Sequence, residues 1–147
     1  MLLQVIMTSI DEQLPHFFMQ SVNERIEKQE YYVFMMGALL VEANFQKDKS
    51  ICEKRQLKLK IGNAALKGLK IEKLVYTSYN NKKNNKIFPK LAISYRENMS
   101  LILELYSELV NHHGVCENEY LIAANQMKEQ YDYINKICDY KGKEEEK

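Results

Sequence analysis

Residues 18–41, FMQSVNERIEKQEYYVFMMGALLV, decide the fold. Phe18, Val22, Ile26, Gln29, Val33, Met36 and Leu40 recur at alternating four- and three-residue steps, the period that lays one stripe along an α-helix. Only Gln29 interrupts that seam. The second half, Tyr31 to Val41, is apolar on every side. A helix apolar all round has to be covered all round, so this half is expected to be the most buried element of the protein.

Upstream, Ser9 followed by Glu12 reads as a capping box, and Pro15 is tolerated in a first helical turn. The helix is therefore expected to start there, after a short N-terminal segment. The opening Met1–Met7 is apolar but has no basic flank and is followed by Asp11 and Glu12. It is too short for a signal peptide or a membrane span.

Downstream, Ser50 with Glu53 reads as a second capping box, opening a helix that runs towards Tyr79. Its core stripe is Leu57, Ile61, Ala64, Gly68, Ile71 and Val75. Gly62 and Gly68 each cost about 1 kcal/mol of helix propensity relative to Ala. With Ala64 and Ala65 they make a small-residue surface that another backbone could approach. Residues 80–86, Asn-Asn-Lys-Lys-Asn-Asn-Lys, are a polar loop. Pro89 then suits the first turn of a third helix, whose seam is Leu91, Tyr95, Asn98, Ile102, Leu105 and Leu109, and Gly114 stops it. The fourth helix starts at about Glu117. It carries the cleanest heptad pattern in the chain, Tyr120, Ala124, Met127, Tyr131, Ile134 and Cys138. Gly142 is expected to end it.

No stretch alternates apolar and polar residues between turn signals, so no sheet is expected. The fold class is all-α: a four-helix antiparallel bundle with a short N-terminal segment and a frayed, charged C-terminal tail. Its 147 residues suit one domain, residues 1–142, followed by a solvated tail at 143–147. Bundles of this kind host unrelated activities, so architecture alone assigns no function.

Catalytic and metal signatures are missing from the sequence. There is no glycine-rich phosphate loop, no nucleophile elbow and no H-E-x-x-H. A di-metal carboxylate bundle needs paired E-x-x-H motifs, and the nearest imitation is Glu108 with His112, four residues apart. His113 and Cys116 have ligand-like spacing but lack the further ligands of a zinc site. No cofactor and no metal is expected, and the protein reads as non-enzymatic. Cys52, Cys116 and Cys138 are an odd number at irregular spacing, which fits reduced thiols in a cytoplasmic protein.

Charge carries the functional signal. The chain is nearly neutral at +1, yet residues 47–90 hold thirteen Lys or Arg against three acids. Residues 1–46 and 91–147 are both net acidic. A basic band of this kind addresses polyanions or acidic protein surfaces. Arg55, Lys60, Lys67, Lys70 and Lys73 spread over the side of the second helix opposite its core stripe. Lys82, Lys83 and Lys86 extend the patch through the loop. Tyr76 and Tyr79, beside it, are expected to stack on exposed bases. The reading is a helical accessory protein that binds nucleic acid through this helix (about residues 50–79) and the loop at 80–86. The alternative is a protein-interaction or assembly subunit, a possible homo-oligomer, that pairs its basic and acidic faces. No membrane partner is expected.

Overall fold

The structure, a computed structural model, describes residues 2–79 and 85–144, with side chains described for 19–79 and 85–142. It is a four-helix antiparallel bundle. Helix α1 spans Leu2–Gln46, α2 Lys49–Ser78, α3 Ile87–His113 and α4 Glu117–Glu144. Each helix packs on the next in the chain, and α2 also touches α4. No strand occurs among the described residues.

The helix ends differ from expectation in three places. Helix α1 spans residues from Leu2 onward, so Ser9 and Glu12 lie within it and residues 2–8, expected to be a separate segment, are helical. Residues 2–8 contain neither Gly nor Pro, and nothing there stops a helix from extending backwards. Helix α2 is capped by Asp48, not Ser50: the Asp48 carboxylate accepts the Ile51 N–H at 3.1 Å. Asp48 directly follows Lys47, whose φ of 57° turns the chain between the helices. An aspartate at that position also faces the positive end of the helix dipole. Helix α4 continues through Gly142 to Glu144. One glycine in a helical φ costs about 1 kcal/mol, too little to end a helix by itself. Of the tail expected to be frayed, residues 145–147 lie outside the described residues.

Two ends hold as read. Pro89 sits in the first turn of α3, and Gly114 closes that helix at φ 65° with its N–H on the Leu109 and Val110 carbonyls. This left-handed conformation is the one that favours glycine.

The core falls into two clusters. The first draws on all four helices: Val22 and Ile26 of α1, Val75 and Tyr76 of α2, Phe88 and Leu91 of α3, and Ile134 and Ile137 of α4. The second is built from α2 and α3 alone, with Leu57, Ile61 and Ala64 facing Ile102, Leu105 and Leu109, and Met127 of α4 packed against it. No residue of α1 belongs to that second cluster.

Polar side chains within the apolar seams fix how the helices meet. Gln29, the interruption in the α1 seam, donates to the Gly62 carbonyl at 3.0 Å. Asn98, in the α3 seam, is buried and donates to the Ala64 carbonyl at 2.7 Å. Both land on the small-residue stretch of α2, where missing side chains leave backbone carbonyls within reach. A buried amide without such a partner would cost about 1–3 kcal/mol, so each bond favours one register over its neighbours.

Beside the second cluster, α1 lies on the outside of α2. It buries Met36 and Ala43 there and leaves Tyr31, Phe34, Val41 and Phe45 exposed. The expectation that residues 31–41 form the most buried element is therefore wrong. Helix α2, its main neighbour there, covers one face and leaves the opposite face in solvent.

Candidate interaction surfaces

The basic face is only partly the surface that the sequence suggested. Lys60, Lys67, Lys70 and Lys86 are exposed, and Lys73 is half-buried. Lys82 and Lys83 lie outside the described residues. Arg55 is half-buried and donates from Nη1 to the Leu39 carbonyl at 2.7 Å, so it ties α2 to α1. Tyr76 and Tyr79 belong to the first core cluster, at 2% and 8% exposure. Their rings are covered by protein and present no face on which a base could stack. Lys141 Nζ lies 4.3 Å from the centre of the Tyr79 ring, which already holds a cation.

What remains is a compact lysine patch. Lys60, Lys67 and Lys70 share one outward arc of α2, with Gln56, Asn63 and Leu74 beside them. No acidic residue occurs between Glu53 and Glu72. No ion pair links Lys60, Lys67 or Lys70 to a described residue.

A second polar feature is internal. Glu72 is 2% exposed and carries Arg25 on one carboxylate oxygen, Nη1 to Oε2 at 3.4 Å, and Gln130 Nε2 on the other. The arrangement clamps α1, α2 and α4 together at the four-helix end. Burial raises the Glu72 carboxyl above its ordinary range, opposed by the Gln130 hydrogen bond and the Arg25 charge. Burial, and after it the Glu72 charge, also pushes the Tyr76 and Tyr95 hydroxyls up. Glu72 forms part of the floor of a groove of about 470 Å³ lined by Gly68, Tyr95, Asn98 and Gln130 among others. Both carboxylate oxygens are engaged within the protein, so its evident work is to join helices.

The third surface is the outer side of α1. Tyr31, Phe34, Ala38, Val41 and Phe45 follow one another at three, four, three and four residues. This is a strict two-position heptad seam, opposite the one that Met36 and Ala43 bury on α2. Its exposures are 67% for Tyr31, 73% for Phe34, 55% for Val41 and 84% for Phe45. Traced towards the N-terminus the same line turns polar, through Glu27, Glu24 and Gln20. The apolar face is thus confined to the half of α1 beside the second core cluster. Sequence reasoning missed it, although the signal was present as a second heptad series running beside the first.

The remaining candidates stay apart from one another. Among the described residues, no three His, Cys, Asp or Glu side chains converge as a metal site would require. Burial raises the Cys138 thiol to about 11, which leaves it protonated and unreactive at neutral pH. No described helix is long and apolar enough to cross a membrane. No family model, no curated protein and no solved structure matches the chain.

Proposed function

We propose that this protein is a non-enzymatic assembly subunit that works through the outer face of α1. One observation carries the reading: a two-heptad apolar seam, Tyr31 to Phe45, stands in solvent on a helix whose opposite face is already committed to the bundle. Isolated exposed apolar residues are ordinary, but a contiguous, periodic patch with three aromatic rings marks a surface that another helix covers. Replacing Phe34 and Phe45 together by Glu tests it. At a concentration low enough to keep the parent monomeric, the helical spectrum and melting temperature of the bundle should be preserved, because neither ring supports the fold. A variant that melts far below the parent would place these rings inside the folded chain and defeat the reading.

A second reading rests on a separate observation, the acid-free lysine patch of Lys60, Lys67 and Lys70. It supports phosphate binding by point charges, without base stacking from Tyr76 and Tyr79. Affinity for a mixed-sequence oligonucleotide should then fall steeply with salt, with a log–log slope of about −0.9 for each phosphate neutralised on a duplex. The triple substitution of these lysines by Glu should abolish binding. Salt-insensitive binding, or none, removes this reading and leaves the first intact.

A further inference from the structure

We infer that the partner of the α1 face is a second copy of this chain, docked antiparallel about a two-fold axis that passes between Phe34 and Ala38. The inference rests on the assembly reading above and names its occupant.

The seam has the area and shape for self-pairing. Tyr31, Phe34, Met35, Val41 and Phe45 together expose on the order of 600 Å² if an aromatic residue presents ~200 Å² when free. A standard stable interface needs about 800 Å² from each partner, and the flanking polar side chains supply the remainder. In the antiparallel register, Phe34 lies against Ala38 of the partner subunit and Tyr31 against Val41 of the partner subunit. These two layers each set a larger side chain against a smaller one, which fills space without a void, and Phe45 lies at each rim against Glu27 of the partner subunit. Gly37 flanks the centre of the seam, and a Cβ added there would meet nothing within 4 Å. Two backbones can therefore approach at the axis.

Charge selects the direction. In antiparallel coiled coils, flanking positions of the same kind face each other across the seam. Here Lys28 faces Glu42 of the partner subunit, and the two-fold axis repeats the pair. Both side chains are exposed in the single chain. A parallel pair would instead place Glu24 and Glu27 against their own copies and leave Ala38 facing Ala38 of the partner subunit. That arrangement sets like charges together and opens a gap in the middle of the apolar run. A two-fold antiparallel pairing also closes on itself, so it stops at two copies.

Charge reversal on the full-length chain, read by light scattering, tests the pairing. The parent should have twice the mass of one chain at micromolar concentration. Lys28→Glu and Glu42→Lys should each weaken dimerisation by about tenfold or more, since each creates two like-charge contacts. The double variant should restore the dimer, because it reverses both members of each pair. Two single variants as dimeric as the parent would overturn the antiparallel register. A monomeric parent would overturn self-pairing, and Phe34→Glu with Phe45→Glu then tells the two failures apart. If that variant melts as the parent does, the face stays open for a different partner; if it unfolds, the assembly reading falls as well.

Discussion

The two ends of the bundle close differently, although α1 runs through both. At the end holding Val22, Ile26 and the Arg25–Glu72–Gln130 clamp, all four helices contribute to one cluster, in which α1 buries Val22 and Ile26 and leaves only polar side chains in solvent. At the other end, α2 and α3 form the core by themselves and α1 is a lean-to, with one face on α2. The sequence of α1 runs against this arrangement: its polar half enters the four-helix end and its all-apolar half lies where cover is thinnest. Apolar content measures how much cover a helix requires. It does not measure how much its own chain supplies.

The largest expected effect comes from two residues, two positions apart, on opposite faces of that apolar half. Met36 is 6% exposed against α2, and Phe34 is 73% exposed. Met36→Asp puts an unpaired carboxylate into an apolar contact and removes the packing of the original side chain. We expect a loss of about 4 kcal/mol, enough to unfold a marginally stable domain. Phe34→Asp should change the stability of the isolated bundle by less than about 0.5 kcal/mol. Chemical denaturation of both variants at a concentration low enough to keep the chain monomeric checks the pair. Equal losses would show that α1 is enclosed on both faces and that the contrast between the two ends does not hold.

A smaller effect probes the closed end through its buried carboxylate. Burial raises the Glu72 carboxyl in the folded chain above its value in the unfolded chain. Between those values the folded state holds a proton that the unfolded state has released. Stability from this group is therefore gained on acidification through that window and lost as pH rises through the folded value. Glu72→Gln removes the titration while keeping the shape. At neutral pH we expect it to be as stable as the parent or more so, by about 1 kcal/mol. The advantage should shrink as pH falls towards the ordinary carboxylate range. An advantage that grows on acidification would mean that the carboxyl is depressed, with the Arg25 charge outweighing burial.

Legibility in the sequence followed the same division. The α2 stripe Leu57, Ile61, Ala64, Gly68, Ile71 and Val75 is buried throughout, as are Leu91, Tyr95, Asn98, Ile102, Leu105 and Leu109 of α3. In those helices most exposed positions are polar, with Leu74, Ile93 and Leu101 the large apolar exceptions, so periodicity is enough to identify the inner side. Residues 31–45 carry two overlapping heptad series, and pattern has no means of saying which one a neighbour covers. Tyr76 and Tyr79 failed for a different reason. Helix α2 touches α1, α3 and α4, so its buried arc is wider than one stripe and takes in side chains that flank the lysines in the sequence. The number of neighbours around a helix is a property of the assembled fold, and it decided all three residue assignments that depended on it.

The smallest effect distinguishes two glycines of α2 that look alike in sequence. A Cβ at Gly62 would lie 3.0 Å from the Tyr32 ring edge, and one at Gly68 would lie 3.0 Å from Asn98 Nδ2. The neighbours differ in what holds them. Tyr32 is 41% exposed on the lean-to half of α1, so its ring can swing outward by a few tenths of an ångström. Asn98 is 5% exposed and bound to the Ala64 carbonyl at 2.7 Å, so it cannot yield without weakening that bond. Alanine brings about 1 kcal/mol of helix propensity at either site. At Gly62 that gain should meet little opposition, leaving Gly62→Ala neutral to slightly stabilising. At Gly68 the disturbed buried hydrogen bond costs about 1–3 kcal/mol and outweighs it, so Gly68→Ala should be net destabilising by about 1 kcal/mol. Urea midpoints measured side by side resolve a difference of this size. If Gly62→Ala proved the more damaging, α1 would be held against α2 as rigidly as α3 is, and the looser end of the bundle would have to be sought elsewhere.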